Sequence, residues 1–182
     1  MSQDKIKTFM ESLKMDEAVS PEEFHKAMKS AYQDRTMQVY FIWKALKKLH
    51  PEIDANEVIR EGSYEFGLWQ GNKIAAKYGA DKIGPAEAVM GQTSKGGIMV
   101  FEQEILELGE DRAVKLFNCC PHAEALKAMG EPPEVVKMFC REMLSACDYA
   151  ICEPFTNVSI DFPTTVADGE GKPCAMTITR KK

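Results

Sequence analysis

The sequence predicts an α+β fold in which a helical N-terminal half packs on a four-stranded, mainly antiparallel sheet with two intervening helices. Three observations predict it. Apolar residues recur at helical spacing through the first 80 or so positions, the pattern then changes to alternation in two separate pairs of segments, and two proline-initiated helical stretches lie between those pairs. The 182 residues are read as one domain, 1–182, with a helical part over 1–80 and an α+β part over 96–180 that carries the cysteines.

Ile6, Phe9, Met10 and Leu13 follow i, i+3, i+4, i+7 spacing and predict a short amphipathic helix. Ser20-Pro21-Glu22-Glu23 supplies an N-cap, a proline at the first helical position and a reciprocal glutamate for a second helix, which runs with an irregularity near Asp34–Thr36 until His50-Pro51 stops it. A third helix spans about Asn56 to Tyr78 and is capped by Gly79. Gly67 and Gly71 share one face of it, which predicts close approach of another helix backbone. A short helix is expected over Gly84–Met90, and Gln92–Gly97 reads as a loop without phosphate-loop spacing.

Ile98–Leu108 and Arg112–Cys120 then read as strands joined at Gly109-Glu110-Asp111. On the second strand Val114, Leu116, Asn118 and Cys120 face one way, and Lys115, Phe117 and Cys119 the other. Ala123–Met129 forms a short helix closed by Gly130, and Pro132-Pro133 opens a longer one to about Cys152, with Cys140 and Cys147 on one apolar stripe. The final strands place Val158, Ile160 and Phe162, then Cys174, Met176 and Ile178, on inward faces, with Asp168–Gly171 as the turn.

A net charge of −5 and an isoelectric point near 5.3 argue against nucleic acid as a partner, because phosphate binding needs a basic face. No apolar run approaches the ~20 residues that cross a bilayer, and the start has no apolar leader, so a cytoplasmic protein without a membrane partner is expected. A small-molecule ligand or substrate is the expected partner, with homo-oligomerisation open. Six cysteines without a secretory leader should stay reduced.

Chemistry is expected at Leu116–Glu124. Pro121 suits the first helical position, which puts Cys120 at the N-cap, where the helix dipole and free amides favour a thiolate. Packing as a small hydrophobe is the competing reading for Cys120, and more so for Cys119. Cys120, Cys140, Cys147 and Cys174 all fall on core-facing sides and are expected to converge on one pocket. Two chemistries then stay open. One is a nucleophilic Cys120 with His122 as acid/base and a carboxylate as orienter. The other is a metal held by Cys120, His122, Cys147 and Cys174, with Asp148 or Glu124 as further donors. Cys140 and Cys147 lie two turns, about 10 Å, apart, too far to share one ion. His25 and His50 read as structural, and Cys152 has no evident role.

Cys120-Pro121 after a strand, Cys140 ahead of Cys147-Asp148, and Gly171 three residues before Cys174 resemble the L-2-amino-thiazoline-4-carboxylic acid hydrolase family over about 115–178. The same element order is similar to the 4-vinyl reductase domain, a small-molecule-binding module. Where zinc-binding versions of that module carry an acidic residue and a cysteine, this chain has Phe162 to Ala167. The first resemblance implies hydrolytic opening of a thiazoline or cyclic amidine at a C–N bond, by thiolate or metal-assisted water attack on the C=N carbon, to give an N-carbamoyl amino acid. In it Cys120 is nucleophile or ligand, His122 acid/base and Asp148 orienter or ligand. The cofactor stays open, a divalent metal such as zinc or manganese being one option. The alternatives are a noncatalytic sensor or carrier, and a cysteine cluster that holds zinc or iron–sulfur for structure alone.

Overall fold

The computed structural model describes residues 7, 8, 11, 18–169 and 171–181. The helix expected at Ile6, Phe9, Met10 and Leu13 lies outside the described residues.

Helix α1, Pro21–Leu49, starts as its sequence dictates: Ser20 Oγ accepts from the Glu23 amide at 3.2 Å, and the Glu23 carboxylate accepts from the Ser20 amide at 3.0 Å. It continues without a break through 34–36, so the irregularity expected there does not occur. The Thr36 hydroxyl, which donates to Tyr32 O at 3.1 Å, is absorbed within the helix. Ser20→Ala is expected to lower stability by about 1 kcal/mol, read as a fall in the urea midpoint without a change in slope.

Helix α2, Ala55–Tyr78, is capped by Asp54 and ends at Gly79, whose φ of 88° suits glycine. The backbone of α7 (Ser145–Cys152) crosses α2 at Gly67 and Gly71 so closely that a Cβ at Gly67 would lie 2.2 Å from Cys147 O, and one at Gly71 would lie 2.3 Å from Ile151 O. The shared glycine face therefore serves helix packing, as the spacing predicts.

Helix α3, Pro85–Gly91, precedes α4, Lys95–Phe101. This second element corrects the sequence reading, in which 92–97 is loop and 98–108 strand. Ser94 Oγ accepts from the Gly97 amide at 3.0 Å, and Val100 is fully buried. An N-cap and a buried face thus override the β-preference of Ile98, Val100 and Phe101. Glu102, at φ 48°, turns the chain into β1, Gln103–Leu108.

Strand β2, Arg112–Phe117, lies between β1 and β4, Cys174–Arg180, and β3, Val158–Asp161, flanks β4. All three pairings are antiparallel, and a bulge interrupts β1 between Ile105 and Glu107. The fold is α+β, with a four-stranded antiparallel sheet as expected. Between the hairpins run α5, Pro121–Ala128, and α6, Pro133–Met138. A π-helical turn over Phe139–Leu144 then leads into α7, so the single long helix expected from Pro133 to Cys152 carries a wide turn in its middle. Such turns recur at functional sites. The β3–β4 connection holds a 3₁₀ turn, Val166–Asp168, tied down by the Asp168 carboxylate, which accepts from Arg141, from Lys137 at 3.4 Å and from the Thr165 amide at 2.8 Å.

Two apolar cores result. One, around Val89, Phe155, Met176 and Ile178, joins the sheet to α3 and α7; the other, around Tyr40, Trp43, Leu126 and Phe139, joins α1, α2, α5 and the π turn. No helix among the described residues is long and apolar enough to cross a membrane.

Candidate functional site

A cavity of about 660 Å³ lies at the seam of the two cores, with walls drawn from both: Ile151, Phe162 and Cys174 on the sheet side, Ile59, Cys120 and Cys140 on the helical side. That volume falls within the range of small-molecule pockets.

The end of β2 positions the motif residues. The Cys119 amide donates to Phe101 O at 3.1 Å and the Asn118 side chain to Glu102 O at 3.1 Å, which pins the strand end to α4 before Pro121 opens α5. Cys120 is the N-cap and lines the cavity with His122, Cys140, Cys147, Asp148 and Cys174. Cys119 points elsewhere. Its thiol donates to Glu124 Oε1 at 3.1 Å, and Lys29, paired with Glu124 at 2.8 Å, donates to the sulfur at 3.6 Å. Glu124, considered as a metal donor, thus belongs to a separate cluster. Cys152 is buried and accepts from Gln92 Nε2 at 3.5 Å.

The six cysteines are free thiols. The thiolate expected at Cys120 is not what its surroundings favour. Burial pushes the thiol far up, Cys140 and Cys174 push the same way, and the amides of Ala123 and His122 do not offset them. Burial likewise raises Cys140 and Cys147 to about 12. A thiol stripped of water gains less from an N-terminal dipole than it loses in solvation.

His122 is neutral and already occupied. Arg35 Nη2 can only donate, and it does so to Nε2 at 3.4 Å. Nδ1 therefore carries the proton and donates to Thr36 Oγ1 at 2.5 Å, while the Thr36 hydroxyl donates in turn to Tyr32 O. Burial, then the Arg35 charge, lowers the imidazole to about 4. With both ring nitrogens engaged, His122 does not join the sulfurs as a ligand. Among the described residues no three His, Cys, Asp or Glu side chains are gathered as a metal's donor set, so Cys120, His122, Cys147 and Cys174 are not assembled as one here.

Asp148 differs from its neighbours. It lines the cavity from α7 and has no hydrogen-bond or ion-pair partner among the described residues. Burial raises its carboxyl to about 6, against the pull of Lys115 and Arg35. Lys115, only 1% exposed, donates from β2 to Gln92 O and Thr93 Oγ1, both at 3.2 Å, and burial lowers its ammonium to about 8. A carboxylate and an ammonium with pKa values either side of neutrality therefore share one cavity. Sequence reasoning places Asp148 among the candidates but passes over Lys115. The signal for it was a lysine in the middle of a strand between Val114 and Leu116, the second strand of the predicted sheet.

The model of the L-2-amino-thiazoline-4-carboxylic acid hydrolase family matches residues 29–177. The chain belongs to this family. The match begins within α1 and ends within β4, so most of the helical half is part of the L-2-amino-thiazoline-4-carboxylic acid hydrolase pattern and not an addition to it. No curated protein matches the chain. Among solved structures, a trafficking protein particle complex subunit 3 from Naegleria fowleri, covalently bound to palmitic acid, is similar at TM-score 0.50 and 9% identity, over 85% of this chain and 97% of that one. That likeness is one of fold.

Proposed function

We propose that the chain hydrolyses a small cyclic amidine of the 2-aminothiazoline type inside the central cavity, with Asp148 as general base. The observation that carries this reading is the unpartnered Asp148 carboxylate, raised to about 6 and facing a cavity that Lys115 shares. A base with that value is ionised at neutral pH yet still takes a proton readily. A 2-aminothiazoline is an amidine, and its protonated ring is a cation that suits a buried, unpaired carboxylate.

Asp148 removes one proton from a water whose oxygen bonds to the ring carbon between the two nitrogens and the sulfur. The ring nitrogen enters protonated, so when the tetrahedral centre collapses the carbon–sulfur bond breaks, sulfur keeps the electron pair and takes the proton from Asp148, the added oxygen becomes the carbonyl, and its remaining proton leaves to solvent. The product is an N-carbamoyl amino acid with a free thiol. Cleavage of the ring C–N bond, the bond first expected, would give an S-carbamoyl thiol with a free amine instead, so an N-carbamoyl product requires C–S cleavage. Protonated Lys115 stabilises the negative charge that develops on the attacking oxygen as Asp148 takes its proton. The Cys120 thiol walls the cavity uncharged, since a thiolate route would have to ionise it against its burial. His122 acts as an orienter and not as the acid/base.

The test is turnover of 2-aminothiazoline-4-carboxylate, followed by mass spectrometry and by NMR of the new CH₂–SH group. Neither thiol nor carbamoyl product after long incubation rejects the reading. The rate kcat/KM is expected to rise as Asp148 ionises near pH 6 and to fall as Lys115 loses its proton near pH 8. A profile that stays flat both below about pH 6 and above about pH 8 excludes both roles. A binding-only carrier or sensor is the second reading. It is favoured by the apolar walls at Ile59, Phe101, Phe117 and Phe162, and by the palmitic acid bound to the trafficking subunit of similar fold. Binding of the probe without turnover would select it.

A further inference from the structure

Arg35 is the cation of this site whose position the hydrolytic step does not use. It lies on α1 at the cavity wall, with Cζ 5.1 Å from the Tyr32 ring centroid and 5.7 Å from that of Phe66 on α2. Two aromatic rings thus lie within cation–π range of the guanidinium. The third constraint is His122 Nε2, fixed as an acceptor because Nδ1 donates to Thr36. Thr36 is only 2% exposed, so the chain from Tyr32 O through Thr36 and His122 to Arg35 is anchored in packed structure. For an exposed arginine this is unusual immobilisation, and it brings no charge partner: no carboxylate pairs with Arg35 among the described residues. Its charge nevertheless reaches the cavity and bears on Asp148, His122 and Cys147. A guanidinium oriented in advance and left without an anion is built to receive one, since its fork of donors matches a carboxylate.

We infer that Arg35 is the anion-recognition residue of the cavity, binding a carboxylate on the ligand while the ligand's cationic end lies against Asp148, with His122 and Thr36 as positioning residues for the guanidinium. The inference rests on the proposed function for the nature of the cationic end, but not for the anion contact. It defines the ligand class as small molecules carrying a positive and a negative group, one for each end of the site. Because the Arg35 end is exposed, the anion contact weakens with ionic strength, whereas the Asp148 contact, inside the cavity, responds far less.

Calorimetric titration with two probes, 2-aminothiazoline-4-carboxylate and 2-aminothiazoline without the carboxylate, tests it. The parent is expected to bind the carboxylate probe more tightly, and Arg35→Gln to weaken that probe by roughly 10- to 100-fold while 2-aminothiazoline changes by less than about twofold. Arg35→Lys should recover only part of the loss, because an ammonium lacks the planar fork. Thr36→Val, which frees the His122 ring, should give an intermediate loss for the carboxylate probe alone. Equal weakening of both probes in Arg35→Gln, full rescue by lysine, or no binding of the carboxylate probe by the parent overturns the inference. Discriminating binding without turnover would sustain the anion site and reject hydrolysis.

Discussion

Asp148→Asn is expected to lower turnover of 2-aminothiazoline-4-carboxylate by about 10²- to 10⁴-fold, and at the same time to make the folded protein more stable at pH 7. The two effects share a cause. Burial raises the carboxyl from 3.8 to about 6, so the native state holds its proton more tightly than the unfolded chain does. Below about pH 4 both states are protonated and the residue carries no penalty. Between about pH 4 and 6 the unfolded chain ionises while the native state resists, and above that the full penalty applies. At ~1.4 kcal/mol for each pKa unit the penalty at pH 7 is at most about 3 kcal/mol. Asparagine is close in shape and cannot ionise, so its gain should appear in urea melts at pH 7 and vanish near pH 4. An Asp148→Asn variant that keeps its turnover removes Asp148 from the mechanism. One that loses turnover and stability together at pH 7 marks Asp148 as structural. The two outcomes are separable because the stability measurement needs no substrate.

The second large effect belongs to Gly67. A methyl group there would lie 2.2 Å from Cys147 O and 2.8 Å from Cys147 C, and both are backbone atoms that no rotamer change can move aside. Gly67→Ala is expected to cost about 3 kcal/mol or more, at the upper end of overpacking effects, because α7 must shift as a unit. It should also weaken probe binding, since α7 carries Cys147 and Asp148 into the cavity. Gly62 on the same helix is the control: a Cβ there meets nothing within 4 Å, so Gly62→Ala should be neutral or stabilise by up to about 1 kcal/mol. Urea midpoints of the two variants, measured side by side, decide it. Equal stability would mean that the close approach of α2 and α7 is not tight in solution.

Local signals made much of the fold legible. The Ser20 capping box, the Asp54 and Gly79 ends of α2, the proline starts of α5 and α6 and the alternation in β2, β3 and β4 each depend on residues within a few positions of one another. The reading of 98–101 as strand failed because Ile98, Val100 and Phe101 carry β-preference, whereas a serine cap and burial of Val100 decide for helix. The π turn left no mark in the apolar pattern, which reads much the same whether or not one turn is widened.

At the site, face assignments brought Cys140, Cys147 and Cys174 to one cavity, because a side chain's face follows from helical or strand period, whereas Cys120, expected on the Val114 and Leu116 face, reaches it only because β2 ends at Phe117: the cavity is lined by the opposite face, Lys115 and Phe117. Their protonation was not legible. The N-cap argument for Cys120 counts nearby amides and a dipole, but the desolvation that outweighs them is imposed by elements far away in the chain. For the same reason sequence could name His122 and Asp148 without ranking them: Thr36 and Arg35 occupy the imidazole, and nothing occupies the carboxylate. By itself, then, the sequence determined the caps and the order of most elements and the inward faces of the helices and of β4. Only the tertiary structure decided which inward group is charged, because charge at a buried site depends on the water and partners that distant segments remove or supply.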